Sequence, residues 1–355
     1  MRILTGIVGK ALLGAAAGAL AFGSAQAQEL KNINFMSPNN ESCGTYPQFM
    51  MQAFGFLEKE GYKLTLLDSD TSVPYVAFLS NGDADIVTLD AIETLAARAA
   101  GQDIKIIYEA YQFAPEGIVV KEDSPIQSLA DLKGKKVGLA EQPDEVTTQI
   151  ALDSVGISMD EVTTFVVGNQ GPVMAAALRD DTIDAFAGGS SDRIAIEAQG
   201  VKFRNITPDA ISKNPGNSLA VWGPTIEEKR PLISAFLRSW AQAQHAGVID
   251  TKAVLAACTT YIPEQFEDMA LGERLINYQV YTLQMRRTVN YGELQADVWK
   301  GIQPAFIKAG VIEKEVDPGD FLDTSFQEAL RDFTTADVLA GVAKWKEANP
   351  DKVIN

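Results

Sequence analysis

The residues able to do chemistry fall in six short segments. Residues 39–46 supply Asn40, Glu41 and Tyr46, and 90–91 supply Asp90. Tyr111, Phe113 and Glu116 lie in 111–116, and Glu141, Asp144 and Glu145 in 141–145. Asn169 opens 169–171, and 188–192 hold Gly188, Ser190 and Asp192. Amides, hydroxyls, rings and acids dominate, with Arg193 the only base beside them. Paired acids would suit general acid–base catalysis, but loop acids ordinarily face solvent or cap helices. Asp144, directly after Pro143, opens a helix, where negative charge is favoured. Gly188-Gly189-Ser190-Ser191 before a helix has the make-up of an anion nest. One histidine, His245, makes a Ser-His-Asp triad or a His-rich metal site hard to assemble. Two cysteines, Cys43 and Cys258, rule out a four-cysteine zinc site. There is no phosphate-binding loop and no dinucleotide fingerprint, so neither metal nor cofactor is expected, and no catalytic residue is assigned.

These segments sit between elements that alternate in type. Strand patterns at 33–36, 62–67, 85–89 and 104–108 are separated by helical ones at 46–57, 73–80 and 92–100. The grammar restarts near Leu132, with strands at 136–139, 163–167, 183–187 and 201–204 and helices at 144–155, 172–179 and 193–199. Gly82-Asp83-Ala84-Asp85-Ile86 and Asp181-Thr182-Ile183-Asp184-Ala185 each lead, sixteen residues after the second aspartate, to a glycine, Gly101 and Gly200. The fold class is therefore α/β, with two similarly built lobes. Past a strand at 219–222 the chain turns helical (225–246, 251–259, 263–287, 294–309), a tail that must pack on the first lobe. The chain then crosses between lobes twice, near 114–118 and 220–223, which is a hinge around a cleft. Ligands of open α/β sheets bind beyond the carboxyl ends of the strands, where the six segments fall. Tyr111 and Phe113 flank the first crossing and Trp222 sits in the second, placed to stack on a flat ligand.

The 355 residues carry a net charge of −17, which argues against nucleic acid or an anionic membrane surface as partner. Residues 1–27 combine a basic start, an apolar run too short to span a bilayer, and Ala25-Gln26-Ala27. They read as a secretory signal cleaved after Ala27. Removing it takes away Arg2 and Lys10 and deepens the charge to −19.

Ser128-Leu129-Ala130-Asp131-Leu132-Lys133-Gly134-Lys135-Lys136-Val137-Gly138 is similar to the phrase opening the second lobe of periplasmic substrate-binding proteins of ABC importers. Tyr46, the stretches 81–86, 99–106, 117–120 and 176–186, and Lys229-Arg230-Pro231 with Phe236-Leu237 extend the likeness over residues 31–240. It resembles the NMT1/THI5-like branch, which serves nitrate, sulfonates, taurine and thiamine-type pyrimidines. The resemblance implies a type II fold in which two lobes close on a small solute. Lobe 1 would be 28–115 plus 223–355 and lobe 2 would be 116–222. It also implies a monomeric, periplasmic, non-enzymatic protein that docks on a permease driven by a separate ATPase. A pyrimidine synthase of related fold uses a cysteine-rich motif and active-site histidines, which the isolated Cys43 and His245 do not supply. A receptor's ligand sensor would share the architecture.

The ligand is expected against Asn40, Glu41, Tyr46, Asp90, Tyr111, Phe113, Glu141, Asn169, Gly188, Ser190, Asp192 and Trp222. A site for nitrate or a sulfonate should offer arginine, lysine or many N–H donors, whereas these loops are acidic. A flat nitrogen-containing heteroaromatic, such as a thiamine-type pyrimidine, suits them better than a sulfonate, taurine, nitrate or an aromatic acid. Cys43 and Cys258 bridge only if their Cα atoms lie within about 7 Å. One in a ligand loop and one near the end of a tail helix favour two free thiols.

Overall fold

The computed structural model describes residues 29–38, 42–68, 74–168 and 170–354. The first lobe runs β1 (Lys31–Met36), α1 (Pro47–Ala53), α2 (Phe56–Lys59), β2 (Tyr62–Leu66), α3 (Tyr75–Asn81), β3 (Ile86–Leu89), α4 (Ala91–Ala99) and β4 (Ile104–Glu109). The second runs β5 (Gly117–Lys121), β6 (Lys136–Leu139), α5 (Asp144–Asp153), β7 (Thr163–Val166), α6 (Gly171–Arg179), β8 (Ala185–Gly188), α7 (Ser190–Ala198), β9 (Phe203–Asn205) and α8 (Asp209–Ser212). The chain then returns as β10 (Ser218–Trp222), followed by α9 (Ile226–Ile249), α10 (Thr251–Tyr261), α11 (Met269–Gln284), α12 (Ala296–Lys308) and α13 (Thr335–Ala348).

Each lobe is a five-stranded sheet, ordered β2-β1-β3-β10-β4 in the first and β7-β6-β8-β5-β9 in the second. In both, the strand next to the edge runs antiparallel: β10 between β3 and β4, β5 between β8 and β9. Those are the strands that arrive from the other lobe. The βαβ alternation legible in the sequence thus builds both sheets, and each borrows one strand through the hinge. The expected boundary at 222 is corrected accordingly. β10 lies wholly in the first sheet, so the second crossing is 213–217. A short apolar strand reads alike whether it crosses or is already inside a sheet, and only its pairing separates the two.

Glycine breaks the long first helix expected at 46–57. Gly55 takes φ +69°, a left-handed conformation that glycine adopts without steric cost, and α1 and α2 flank it. The tail packs on the first lobe as expected. Phe236 and Trp240 of α9 stack at 5.7 Å, and Phe236 meets Phe35 of β1 at 5.2 Å. These rings are fully buried, and aromatic burial of this size dominates core energetics. Glu109, at the end of β4, accepts from the Gln295 amide (3.0 Å) and the Trp299 indole (2.8 Å) and so docks α12.

Cys43 and Cys258 form a disulfide with Cα atoms 6.1 Å apart, which overturns the expectation of free thiols. The 3₁₀ turn at Cys43–Thr45 folds back onto α10, and both cysteines are buried in one core. Sequence spacing alone gives no sign of that contact. No helix among the described residues is long and apolar enough to cross a membrane.

Candidate functional site between the lobes

The two crossings lie side by side. Tyr111 N donates to Asn217 O at 3.0 Å and Gly216 N to Tyr111 O at 2.9 Å. A Cβ at Gly216 would stand 2.8 Å from the Tyr111 Cβ and 3.1 Å from the Phe113 carbonyl, so glycine is required for this approach. Arg287, between α11 and α12, straps the pair: its guanidinium donates to the carbonyls of Gln112 and Lys213 and covers the Phe113 ring at 4.2 Å. Two ion pairs, Arg274–Glu197 (2.6 Å) and Lys308–Asp153 (2.9 Å), also join tail helices to the second lobe.

Against these crossings lies a cavity of about 510 Å³, within the range of small-molecule sites. Its floor comes from the crossings themselves: Ala114, Glu116, Asn214, Pro215, Gly216 and Asn217. One wall is the first lobe, with Thr88 at the end of β3, Asp90 to Glu93 at the start of α4, Tyr75 and Phe306. The other is the second lobe, with Glu141, Asp144, Val146, Thr147 and Ile150. These walls stand at the carboxyl ends of β3 and β6, where an open α/β sheet exposes its helix N-termini.

Five carboxylates line this space and no lysine, arginine or histidine does, among the described residues. Asp90 caps α4, accepting from Glu93 N at 2.7 Å, while Glu93 accepts from Asp90 N at 3.0 Å. Asp144 accepts from Glu141 N at 2.9 Å. Burial pushes Asp144 up to about 7, helped by the charges of Asp192 and Glu141. Burial likewise lifts Glu116 to about 7. That level includes the upward push of Asp90 and Asp144 and the downward pull of Arg193. Glu116 thus feels both lobes. Asp90 and Glu93 are both raised, first by loss of solvent. The Thr88 hydroxyl is buried and has no hydrogen-bond partner among the described residues.

Of the residues expected at the ligand, Asp90 and Glu141 line the cavity. Asn40, Glu41 and Asn169 lie outside the described residues. Gly188, Ser190 and Asp192 stand at the β8–α7 junction, beside the cavity but outside its lining. One N–H of the nest there is taken, because Asp192 Oδ2 accepts from Gly189 N at 2.8 Å. The four expected rings do not line the cavity. Tyr46 is fully buried in the first core and donates to Gln244 O at 2.9 Å. Tyr111 is buried with its hydroxyl on Gly44 O (3.0 Å), and Phe113 lies under Arg287. Trp222 pairs with Ile104 at the start of β4, the end of the sheet remote from the cleft, because β10 runs antiparallel. The rings that do line the cavity are Tyr75 and Phe306. Phe306 was missed because nothing local shows that α12 returns to the cleft. Asn214 and Asn217 were missed with the misplaced crossing.

His245 and Cys43, the residues a synthase-like chemistry would draw on, are engaged elsewhere. His245 Nδ1 lies 3.0 Å from the Tyr291 hydroxyl and Nε2 3.2 Å from Thr335 Oγ1, and Cys43 is in the disulfide.

Comparison with known proteins places this architecture. The chain is 24% identical over 284 residues to the riboflavin-binding protein RibY of Chloroflexus aurantiacus, covering 76% of this chain and 79% of that one. A 4-amino-5-hydroxymethyl-2-methylpyrimidine phosphate synthase of Uromyces fabae is 29% identical, but over 40% of this chain and 41% of its own. Among solved structures, the periplasmic aliphatic sulphonate binding protein of Escherichia coli superposes with a TM-score of 0.63 at 19% identity, covering 82% of this chain and 91% of that one. The fold is thus that of two-lobed periplasmic binding proteins. The family model described as NMT1/THI5 like matches residues 44–248, which take in most of the first lobe, both crossings, the second lobe and α9. This chain belongs to the NMT1/THI5-like family.

Proposed function

We propose that the protein captures a small solute between its lobes by hinge closure and delivers it to an ABC permease with its ATPase, after export to the periplasm. The observation that carries this reading is the cavity, formed jointly by two lobes that meet through two adjacent crossings. Hinged lobes around such a space are built to enclose a ligand. Its described lining offers no cysteine or histidine, the residues that a synthase-like chemistry would draw on, which favours binding over that chemistry. The RibY relative is named for binding, and over most of both chains; the likeness to the synthase covers much less.

For the ligand, a flat nitrogen heterocycle remains the preferred class. Carboxylates and the Asn214 and Asn217 amides suit N–H donors, and Tyr75 with Phe306 offers apolar surface. Riboflavin and the pyrimidine of the synthase are both flat nitrogen heterocycles. Native mass spectrometry of protein recovered from the periplasm tests the reading. The expected result is a chain starting at Gln28 with a solute that is released chemically unchanged. A chain retaining residues 1–27, or a solute converted on the protein, would contradict it.

A further inference from the structure

We infer that the cavity takes a cationic solute, one whose apolar body carries a protonated amine that serves as counter-ion to carboxylates presented by both lobes. This rests on the solute-binding reading above and assigns the charge of its ligand, independently of the ring that carries it.

Helix N-termini at the cleft are where an anionic ligand would be welcomed. At each of the three a carboxylate of the chain already stands on a backbone N–H in or just ahead of the first turn. Asp90 accepts from Glu93 N at α4, Asp144 from Glu141 N at α5, and Asp192 from Gly189 N at α7. An incoming sulfonate or carboxylate would meet these carboxylates at every helix end. The Thr88 hydroxyl is a second and independent observation. It belongs to a cavity-lining residue only 4% exposed and has no partner among the described residues, so it is a hydroxyl left for a polar atom of a ligand. Tyr75, Ile92, Val146, Ile150, Ile211 and Phe306 supply the apolar walls. A small inorganic cation would leave those walls uncovered. An amine on a hydrophobic body satisfies both.

The charged groups lining the cavity are Asp90 and Glu93 from α4, Glu116 from the first crossing, and Glu141 and Asp144 at the start of α5; Asp192 and Arg193 of α7 act on them from outside the lining. Among the described residues Arg193 is the cation that acts on Glu116, and its guanidinium is spent on the Gly188 and Pro115 carbonyls. Without a ligand, Asp144 and Glu116 titrate near 7. A bound cation favours their ionised forms, so binding expels protons and tightens as pH rises through this range.

Calorimetric titration of the full mature chain with 2-phenylethylamine, 3-phenylpropionate and 2-phenylethanesulfonate tests this. The amine should bind and the two anions should not. Its affinity should rise about tenfold from pH 5.5 to 8, with protons released to the buffer. Glu116→Gln with Asp144→Asn should weaken it at least tenfold and flatten that profile, with circular dichroism unchanged. Thr88→Val, which leaves the charges intact, should weaken it severalfold. Preferential binding of either anion would overturn the inference while leaving solute capture standing. So would amine binding that ignores pH and the amide variants, or no amine binding up to millimolar concentration. Failure of the parent reading looks different: no solute, including one recovered from the purified protein, would compact the molecule.

Discussion

The two lobes are one design executed twice, and their differences show which parts are scaffold and which are chemistry. Asp85 in the first and Asp184 in the second do the same work. Each precedes the middle strand of its sheet and accepts from the backbone N–H that begins or lies along the neighbouring strand, Asn34 at 2.8 Å and Lys136 at 2.9 Å. Ahead of them Gly82 and Asp181 both turn the chain with positive φ, +82° and +56°. Five residues beyond each aspartate lies the N-cap position of a helix at the cleft, Asp90 in one lobe and Gly189 in the other. The scaffold repeats down to single hydrogen bonds. At the cleft the residue types diverge, yet both lobes put a carboxylate against the helix N-terminus. The disulfide ties the tail to the first lobe, while the second lobe meets the tail only through contacts such as Arg274–Glu197 and Lys308–Asp153.

That asymmetry sets the largest expected effect. Replacing Cys43 and Cys258 by serine opens a covalent link between residues 215 apart, which should cost about 3–5 kcal/mol on the chain-entropy account. The loss should fall on the first lobe. Hydrogen exchange would show protection dropping around α1 and α10 while β6 to β8 hold. A uniform loss across both lobes would mean that they unfold as one unit and would break the comparison.

The repeated aspartates sharpen it. Asp85 is largely buried and also pairs with Lys229 at 2.7 Å, whereas the Asp184 bond lies in the open. An asparagine can still accept the backbone N–H, so Asp184→Asn should cost under about 1 kcal/mol. Asp85→Asn, which strands the Lys229 charge, should cost about 2 kcal/mol. Urea denaturation midpoints would separate the two, and equal losses would mean that the ion pair adds nothing.

Much of this scaffold is legible in the sequence because its signals are local. Strand and helix alternation, the Asp85 and Asp184 repeat, and the helical tail follow from periodicity and glycine punctuation. Long-range pairing is not local, and there the reading fails. Whether 218–222 crosses or joins a sheet depends on β3 and β4, and whether Cys43 meets Cys258 depends on how the tail wraps. The site divides in the same way. Acidity of the loops is visible, and Asp90, Glu116, Glu141 and Asp144 do converge. The rings are not, since an aromatic near a crossing looks the same whether it faces ligand or packs the hinge, as Tyr111 and Phe113 do.

The central claim is that the lobes close on a solute at this cavity, and small-angle X-ray scattering reads that motion directly. Protein unfolded, dialysed and refolded to remove bound solute should show a larger radius of gyration than the same protein reloaded with the molecule recovered from it. Gly216→Ala, which forces the Tyr111 and Phe113 segment away from the second crossing, should shrink that difference. Identical scattering with and without a solute shown by calorimetry to be bound would contradict closure and the account built on it.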